Sequence, residues 1–372
     1  MNYQPTELVK IAKRVNNSRR SHLLVNTLQA KHIPVSPTQA FALFHKLSCV
    51  IPFDDSARYG VVAFAETATA IGAAIASQIG KRCKFIHTTR ERLGNIQSIS
   101  FTEDHSHAVN HAIPKAALEQ MLRTVDTLLI IDDEYTTGKT LVHAVEAMKR
   151  ELEIDVFPDV FALSIVNRMD KPDYNRAAQS GIQFNSLFVL QPGDLEKAQN
   201  EIAVSQASIP TKQANMQVEV VDLRGVVSNP RFGVNGDTYK AACQMIADRF
   251  IEDCGSLVDR DSNVLVLGTE ECMYPSLVVG LNLEERTHAQ VRAHSTTRSP
   301  IGISKCDGYP ICNGVALASF YDMDRRTYLY NLAFYDCVVL VTDAQGDFSC
   351  ALADLTSALS QYGCKALVVV GI

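Results

Sequence analysis

The stretch Leu128–Thr140, LLIIDDEYTTGKT, constrains the fold of this chain more than any other. Leu128, Leu129, Ile130 and Ile131 form a short continuous apolar run, the pattern of a strand buried on both faces of a parallel sheet. Asp132 and Asp133 stand where that strand is expected to end, and Thr136, Thr137, Gly138, Lys139 and Thr140 make a hydroxyl-rich turn. A helix pattern follows: Leu141, Val145, Met148 and Leu152 fall on one face, with Glu146 and Arg150 four residues apart on the other. Strand, turn and helix start together make an anion site, because backbone N–H groups, the helix dipole and threonine hydroxyls converge there. Two aspartates beside it can accept from vicinal hydroxyls. A ligand with a phosphate next to a ribose diol satisfies both. The Gly-Lys-Thr tripeptide is not a Walker A loop, since that motif needs glycine where Asp133 stands.

A second strand–loop–helix unit precedes it. Gly60–Phe64 reads as a strand, Ala65–Thr69 as a small-residue loop, and Ala70 onward as an Ala-rich helix. Ala65, Glu66, Thr67, Ala68 and Thr69 let a backbone approach an anion closely, while tight helix–strand packing explains the same residues without a ligand. Cys83–Arg92 is a strand leaving Thr-Thr-Arg at its end. Arg90 can grip an anion with its planar fork or pair with Glu91 at the surface. Glu103 to His111 is a polar stretch between strands, in which His105 and His107 can serve as acid, base or phosphate ligands. Their spacing also suits a metal, but no third ligand is fixed by spacing, so no metal site is assigned. An N-terminal helix is expected around Glu7–Val15, and a longer one after Pro37 with Ala40, Phe41, Phe44, Leu47 and Ser48 inward.

These residues resemble the type I phosphoribosyltransferases, whose signature is four apolar residues, two acids and a Thr/Ser-Gly-x-Thr turn. Glu134 departs from it, standing where an apolar residue is usual. The resemblance implies that Asp132 and Asp133 hold the ribose hydroxyls of phosphoribosyl diphosphate (PRPP), and that Thr136–Thr140 wrap its 5′-phosphate. It puts the diphosphate on the Ala65–Thr69 loop and Arg90, with Mg2+ bridging the diphosphate. His105 and His107 fall on a mobile loop that closes over the site. Glu66 is unusual beside a diphosphate unless it holds magnesium or an amine. Members acting on 6-oxopurines carry an aspartate where Thr136 stands, so hypoxanthine and guanine are not expected as acceptors.

The second half carries HSTTRSP at His294–Pro300, with PRFG at Pro230 and GTEE at Gly268. It resembles the TRSP domain, found after a phosphoribosyltransferase domain in bacterial tellurium and stress-resistance gene clusters. The expected domains are 1–215 and 216–372, both α/β with mostly parallel, Rossmann-like sheets. Glu270, Thr296, Thr297, Arg298 and Ser299 are second-domain candidates for meeting the acceptor. The halves echo one another: Phe64 onward with Leu267 onward, HTTR at His87 with HSTTR at His294, and Val125 onward with Tyr335 onward. The second half would then be a diverged repeat, with Gln345-Gly346-Asp347 in place of the phosphate turn.

The net charge of −6 argues against nucleic acid or membrane surfaces as partners. Ten scattered cysteines without a CxxC pair, and an N-terminus lacking an apolar core, point to a reducing cytoplasm. The expected partners are therefore PRPP and an unidentified nitrogenous acceptor, with a homodimer left open. Transfer of ribose 5-phosphate is the leading function and a PRPP-binding regulator without turnover the alternative.

Overall fold

The computed structural model describes residues 3–15, 21–101, 111–191, 202–211 and 216–372. In chain order these form α1 (Pro5–Leu8), β1 (Val9–Lys13), β2 (His22–Asn26), α2 (Pro37–Ser48), β3 (Tyr59–Ala63), α3 (Thr69–Ile79), β4 (Cys83–His87), β5 (Ser98–Phe101), β6 (His111–Pro114), α4 (Lys115–Leu122), β7 (Thr127–Tyr135), α5 (Lys139–Glu151), β8 (Asp159–Asn167), α6 (Lys171–Gln179) and β9 (Ile182–Val189). They continue with β10 (Gln217–Asp222), β11 (Val234–Asn235), α7 (Gly236–Cys254), β12 (Asn263–Gly268), α8 (Tyr274–Thr287), β13 (Gln290–Ser295), β14 (Gly314–Ala318), β15 (Arg326–Tyr330), β16 (Cys337–Thr342), α9 (Ser349–Gln361) and β17 (Ala366–Gly371). No helix among the described residues is long and apolar enough to cross a membrane.

The chain divides into two compact units that interleave in sequence. One comprises Phe44–Asp194 and Ser228–Ala242; the other comprises Met1–Leu43, Leu195–Val227 and Cys243–Ile372. The sequence reading drew one boundary, between 215 and 216. The differences have packing reasons. Ala12, Leu23 and Val25 of the N-terminal strands join one apolar cluster with Ile301, Ile311 and Tyr330. Residues 228–242 instead supply β11, which pairs antiparallel with β4.

In the first unit the sheet order is β11-β4-β3-β7-β8-β9, and every pairing but the β11 edge is parallel. The chain leaves β3 toward β4 and leaves β7 toward β8, in opposite directions. The switch point therefore lies between β3 and β7, where ligands of open α/β sheets bind at the carboxyl ends of strands. Every residue of β3 is buried, as are Thr69–Ser77 of α3. A Cβ at Gly72 would meet the Ala63 methyl at 2.5 Å, so close helix–strand packing does account for the small residues there.

In the second unit the sheet order is β10-β17-β16-β12-β13, all parallel. The N-terminal segment departs from the expected helix over Glu7–Val15. It ends its helix at Leu8 and runs on as β1, paired antiparallel with β2. Strand pairing overrides the local helical preference there.

Candidate active site

β7 is longer than its apolar run. It extends through Asp132, Asp133 and Glu134 to Tyr135 because β8 continues to pair with it, Asp132 opposite Ser164 and Glu134 opposite Val166. On its other side the ladder with β3 stops at Ala63–Ile131. The two aspartates therefore lie just where β7 outruns β3, at the switch point, half-buried. The Asp132 carboxylate accepts from the Asp133 backbone N–H at 2.9 Å, and the Asp133 carboxylate accepts from the Thr67 hydroxyl at 2.8 Å. The Ala65–Thr69 loop and the acids thus meet in one place. Glu134, the departure from the family pattern, is matched by Arg168, whose Nε donates to its carboxylate at 2.7 Å. Burial, with the charges of Asp132 and Asp133, pushes the Tyr135 phenol well above its ordinary range. It stays a donor, bonding the Ile130 carbonyl at 2.9 Å.

Gly138 is the N-cap of α5, with φ 67° and no side-chain cap. A Cβ there would meet the buried Met169 sulfur at 2.7 Å, so both backbone angle and space demand glycine. Thr137 offers its hydroxyl to the Lys139 N–H at 3.4 Å, and Thr136 and Thr140 flank them at the helix start.

The β3–α3 loop contains a cis peptide between Ala65 and Glu66. It is tied to the end of β4: the Ala65 N–H donates to the Thr88 hydroxyl at 2.8 Å, and the Thr88 N–H donates to the Ala63 carbonyl at 2.9 Å. Thr69 donates to the Glu66 carbonyl at 3.2 Å, and the Glu66 side chain is buried. Arg90 is half-buried, three residues beyond the end of β4.

Three contributors were not singled out from sequence. Thr88 shares a 2.8 Å hydrogen bond with His111 Nδ1, the first residue of β6. Arg168 had no periodic signal. Arg231, from the PRFG string assigned above to the second domain, is buried in the first unit and donates from Nε to the Thr89 hydroxyl at 3.3 Å. His105 and His107 lie outside the described residues.

The second-domain candidates all lie in the second unit. Glu270, Thr296 and Thr297 are fully buried. The Glu270 carboxylate accepts from Arg298 Nε at 2.7 Å, Arg325 Nη2 at 2.9 Å and Ser319 Oγ at 2.6 Å. Thr297 pairs with Tyr328 through both backbone groups, and the Ser299 carbonyl accepts from the Tyr330 hydroxyl at 2.8 Å.

Residues 8–188 match the family model described as phosphoribosyl transferase, and residues 228–359 match that of the TRSP domain C-terminal to it. The chain is a phosphoribosyltransferase joined to a TRSP domain. Among solved structures it is similar to an adenine phosphoribosyltransferase of Giardia lamblia complexed with 9-deazaadenine. That match has 14% identity and a TM-score of 0.36, covering 50% of this chain and 94% of that one. It is also similar to an adenine phosphoribosyltransferase of Rhodothermus marinus, at 13% identity and TM-score 0.36, covering 50% and 95%. A third is an orotate phosphoribosyltransferase of Aeropyrum pernix, at 15% identity and TM-score 0.33, covering 50% and 89%. No curated protein matches the sequence.

Proposed function

We propose that the first unit of this phosphoribosyltransferase transfers ribose 5-phosphate from PRPP to a nitrogenous acceptor, releasing diphosphate. The observation that carries the reading is the position of Asp132 and Asp133, at the carboxyl end of β7 where β3 has ended, ahead of a glycine-capped helix start. The carboxylates accept from the ribose 2′- and 3′-hydroxyls, and the Thr136–Thr140 turn takes the 5′-phosphate. The loop Ala65–Thr69 takes the diphosphate, with Arg90 beyond the neighbouring strand end. Held at both ends, the sugar has its anomeric carbon fixed against the acceptor nitrogen.

The bond from the anomeric carbon to the diphosphate oxygen loosens, positive charge grows on the ring, and the acceptor nitrogen closes on the same carbon. The two aspartates lend negative potential to that charge, while backbone and arginine donors receive the departing diphosphate. No three His, Cys, Asp or Glu side chains converge on a metal position among the described residues. Asp133 and Glu66 are the carboxylates that would hold magnesium, which would supply charge neutralisation for the leaving diphosphate.

Thr136 stands where a 6-oxopurine enzyme of this superfamily has an aspartate, and a threonine hydroxyl is too weak a base for that task. The acceptor is therefore of another class, and the cytoplasmic and stress-related setting belongs to the same proposal. Diphosphate release from PRPP and magnesium, screened over nucleobases and amines, tests the reading. Turnover with at least one acceptor and none with guanine or hypoxanthine is expected. Robust transfer to guanine refutes the Thr136 argument, and PRPP binding without release for any acceptor leaves a sensor in place of an enzyme.

A further inference from the structure

The two sheets share one wiring. In the first unit β3–α3–β4 is followed by the antiparallel pair β5/β6, by α4, which has no counterpart in the second, and then by β7–α5–β8; in the second, β12–α8–β13 is followed by β14/β15 and then β16–α9–β17. The lateral orders correspond, β4-β3-β7-β8 to β13-β12-β16-β17. The correspondence extends to single hydrogen bonds. At the strand starts, Arg58 N–H donates to the Asp126 carboxylate at 2.9 Å while Asp126 N–H donates back to the Arg58 carbonyl at 2.8 Å. Asn263 and Asp336 repeat this at 3.0 and 2.8 Å. At the strand ends, Thr296 N–H donates to the Gly268 carbonyl and Thr296 Oγ1 accepts from the Glu270 N–H, as Thr88 does with Ala63 and Ala65. Thr89 bridges to Ala112 of one antiparallel pair, Thr297 to Tyr328 of the other. Arg90 and Arg298 both follow three residues after their strands. Strand register also moves the glutamate pairing by one residue: Ala63 corresponds to Gly268, which sets Glu66 against Glu271 and Ala65 against Glu270.

What differs is what fills the polar positions. By register, Asp343 stands where Asp133 does, and it takes the hydroxyl of Tyr321. At the start of α9, the position of the phosphate turn, the Asp347 carboxylate accepts from the Ser349 N–H at 2.9 Å. Beside Arg298, in place of an exogenous anion, lies the Glu270 carboxylate, wholly buried and held by two guanidinium groups. Glu270 has φ 45°, and its loop is pinned by the buried Lys31 ammonium, which donates to the Glu270 carbonyl at 2.8 Å and the Thr296 carbonyl at 2.9 Å. A non-glycine residue in that region persists only where its surroundings over-determine it.

We infer that the TRSP unit is a duplicated phosphoribosyltransferase core whose three polar subsites are occupied by its own side chains: Tyr321 on the diol-binding acid, Asp347 on the helix start and Glu270 on the arginine. The chain accordingly takes one sugar-phosphate anion, in the first unit, and the second core admits none. The names of the subsites and the count of one rest on the function proposed above; the shared core and the side chains that fill its polar positions do not.

The test uses the full-length chain and calorimetric titration with PRPP or inorganic diphosphate, each with magnesium. One equivalent of PRPP per chain is expected. Glu270→Ala with Asp347→Asn takes the carboxylate away from Arg298 and Arg325, leaving Glu271 at 3.7 Å from Arg298, and should add a diphosphate equivalent at least tenfold tighter than any residual binding, lost again on Arg298→Gln. A second equivalent on the wild-type chain that Arg298→Gln removes overturns the inference, and so does a folded double variant that gains nothing. If the first unit binds no PRPP at all, the gain in the double variant still decides. If the double variant does not fold, diphosphate binding by the Asp132→Asn/Asp133→Asn chain decides: an equivalent sensitive to Arg298→Gln overturns the inference, and its absence supports it.

Discussion

Replacing both Asp132 and Asp133 with asparagine should separate binding from stability. Each carboxylate now offers an anionic acceptor at the switch point. A charge-assisted hydrogen bond is worth about 1.5–3 kcal/mol and a neutral one about 0.5–1.5 kcal/mol, so each replacement forfeits roughly 1 kcal/mol or more. Together they should weaken PRPP binding by about 2–3 kcal/mol, roughly 30- to 150-fold. The fold should scarcely notice. The asparagine oxygens can still accept from the Asp133 backbone N–H and from Thr67. Three successive carboxylates at 132–134 have Arg168 bonded to the last of them, so removing two charges relieves repulsion. The melting temperature should hold or rise slightly. Calorimetric titration with PRPP and magnesium beside a thermal melt provides both readings. Unchanged affinity, or a loss of stability that tracks the loss of affinity, would refute the reasoning.

Three further outcomes are expected. Gly138→Ala forces a side chain into φ 67° against the Met169 sulfur, so stability should fall by roughly 1–3 kcal/mol in a denaturant titration, with PRPP binding also weakened. Lys31→Met removes the ammonium from the Glu270 and Thr296 carbonyls and leaves them only the Ser295 hydroxyl, so it should destabilise by about 1–3 kcal/mol; a change under about 0.5 kcal/mol would show that Lys31 is not structural. Burial lowers the His294 imidazole to about 4, below its unfolded value, so it contributes stability above about pH 6.5 that is lost as pH falls toward 4. His294→Gln should flatten the pH dependence of denaturant stability across that window, whatever its effect at pH 7, and an unaltered slope would discharge His294.

The core of the first unit was legible because its signals are local. Four apolar residues, two acids and a glycine turn lie within one stretch, and strand, turn and helix follow from it. The end of β7 was not legible, since three charged residues read as a strand end until Ser164 and Val166 of β8 are seen paired with them. Nor was β1: Lys10, Ile11, Ala12 and Lys13 are acceptable helix residues, and their state is set by partners in β2. Arg231 falls within the TRSP match yet packs with the first unit, for the same reason. Its string follows the boundary in sequence, but the edge of β4 that takes β11 is made more than a hundred residues earlier. The repeat was visible as matching strings, yet only strand register could show which glutamate corresponds to which.

The interleaving of the units bears on how the chain is made. Ala12, Leu23 and Val25 leave the ribosome long before Ile301, Ile311 and Tyr330, the residues whose apolar surface they share. At about 5–20 residues per second, the N-terminal strands wait on the order of 15–60 s for those partners. Meanwhile Phe44–Asp194 is complete except for the short edge strand β11. Synthesis thus builds the transferase sheet first, while apolar N-terminal strands are held without their final cover. A chaperone acting on this protein during translation would find its substrate there, at the beginning of the chain and not at its growing end.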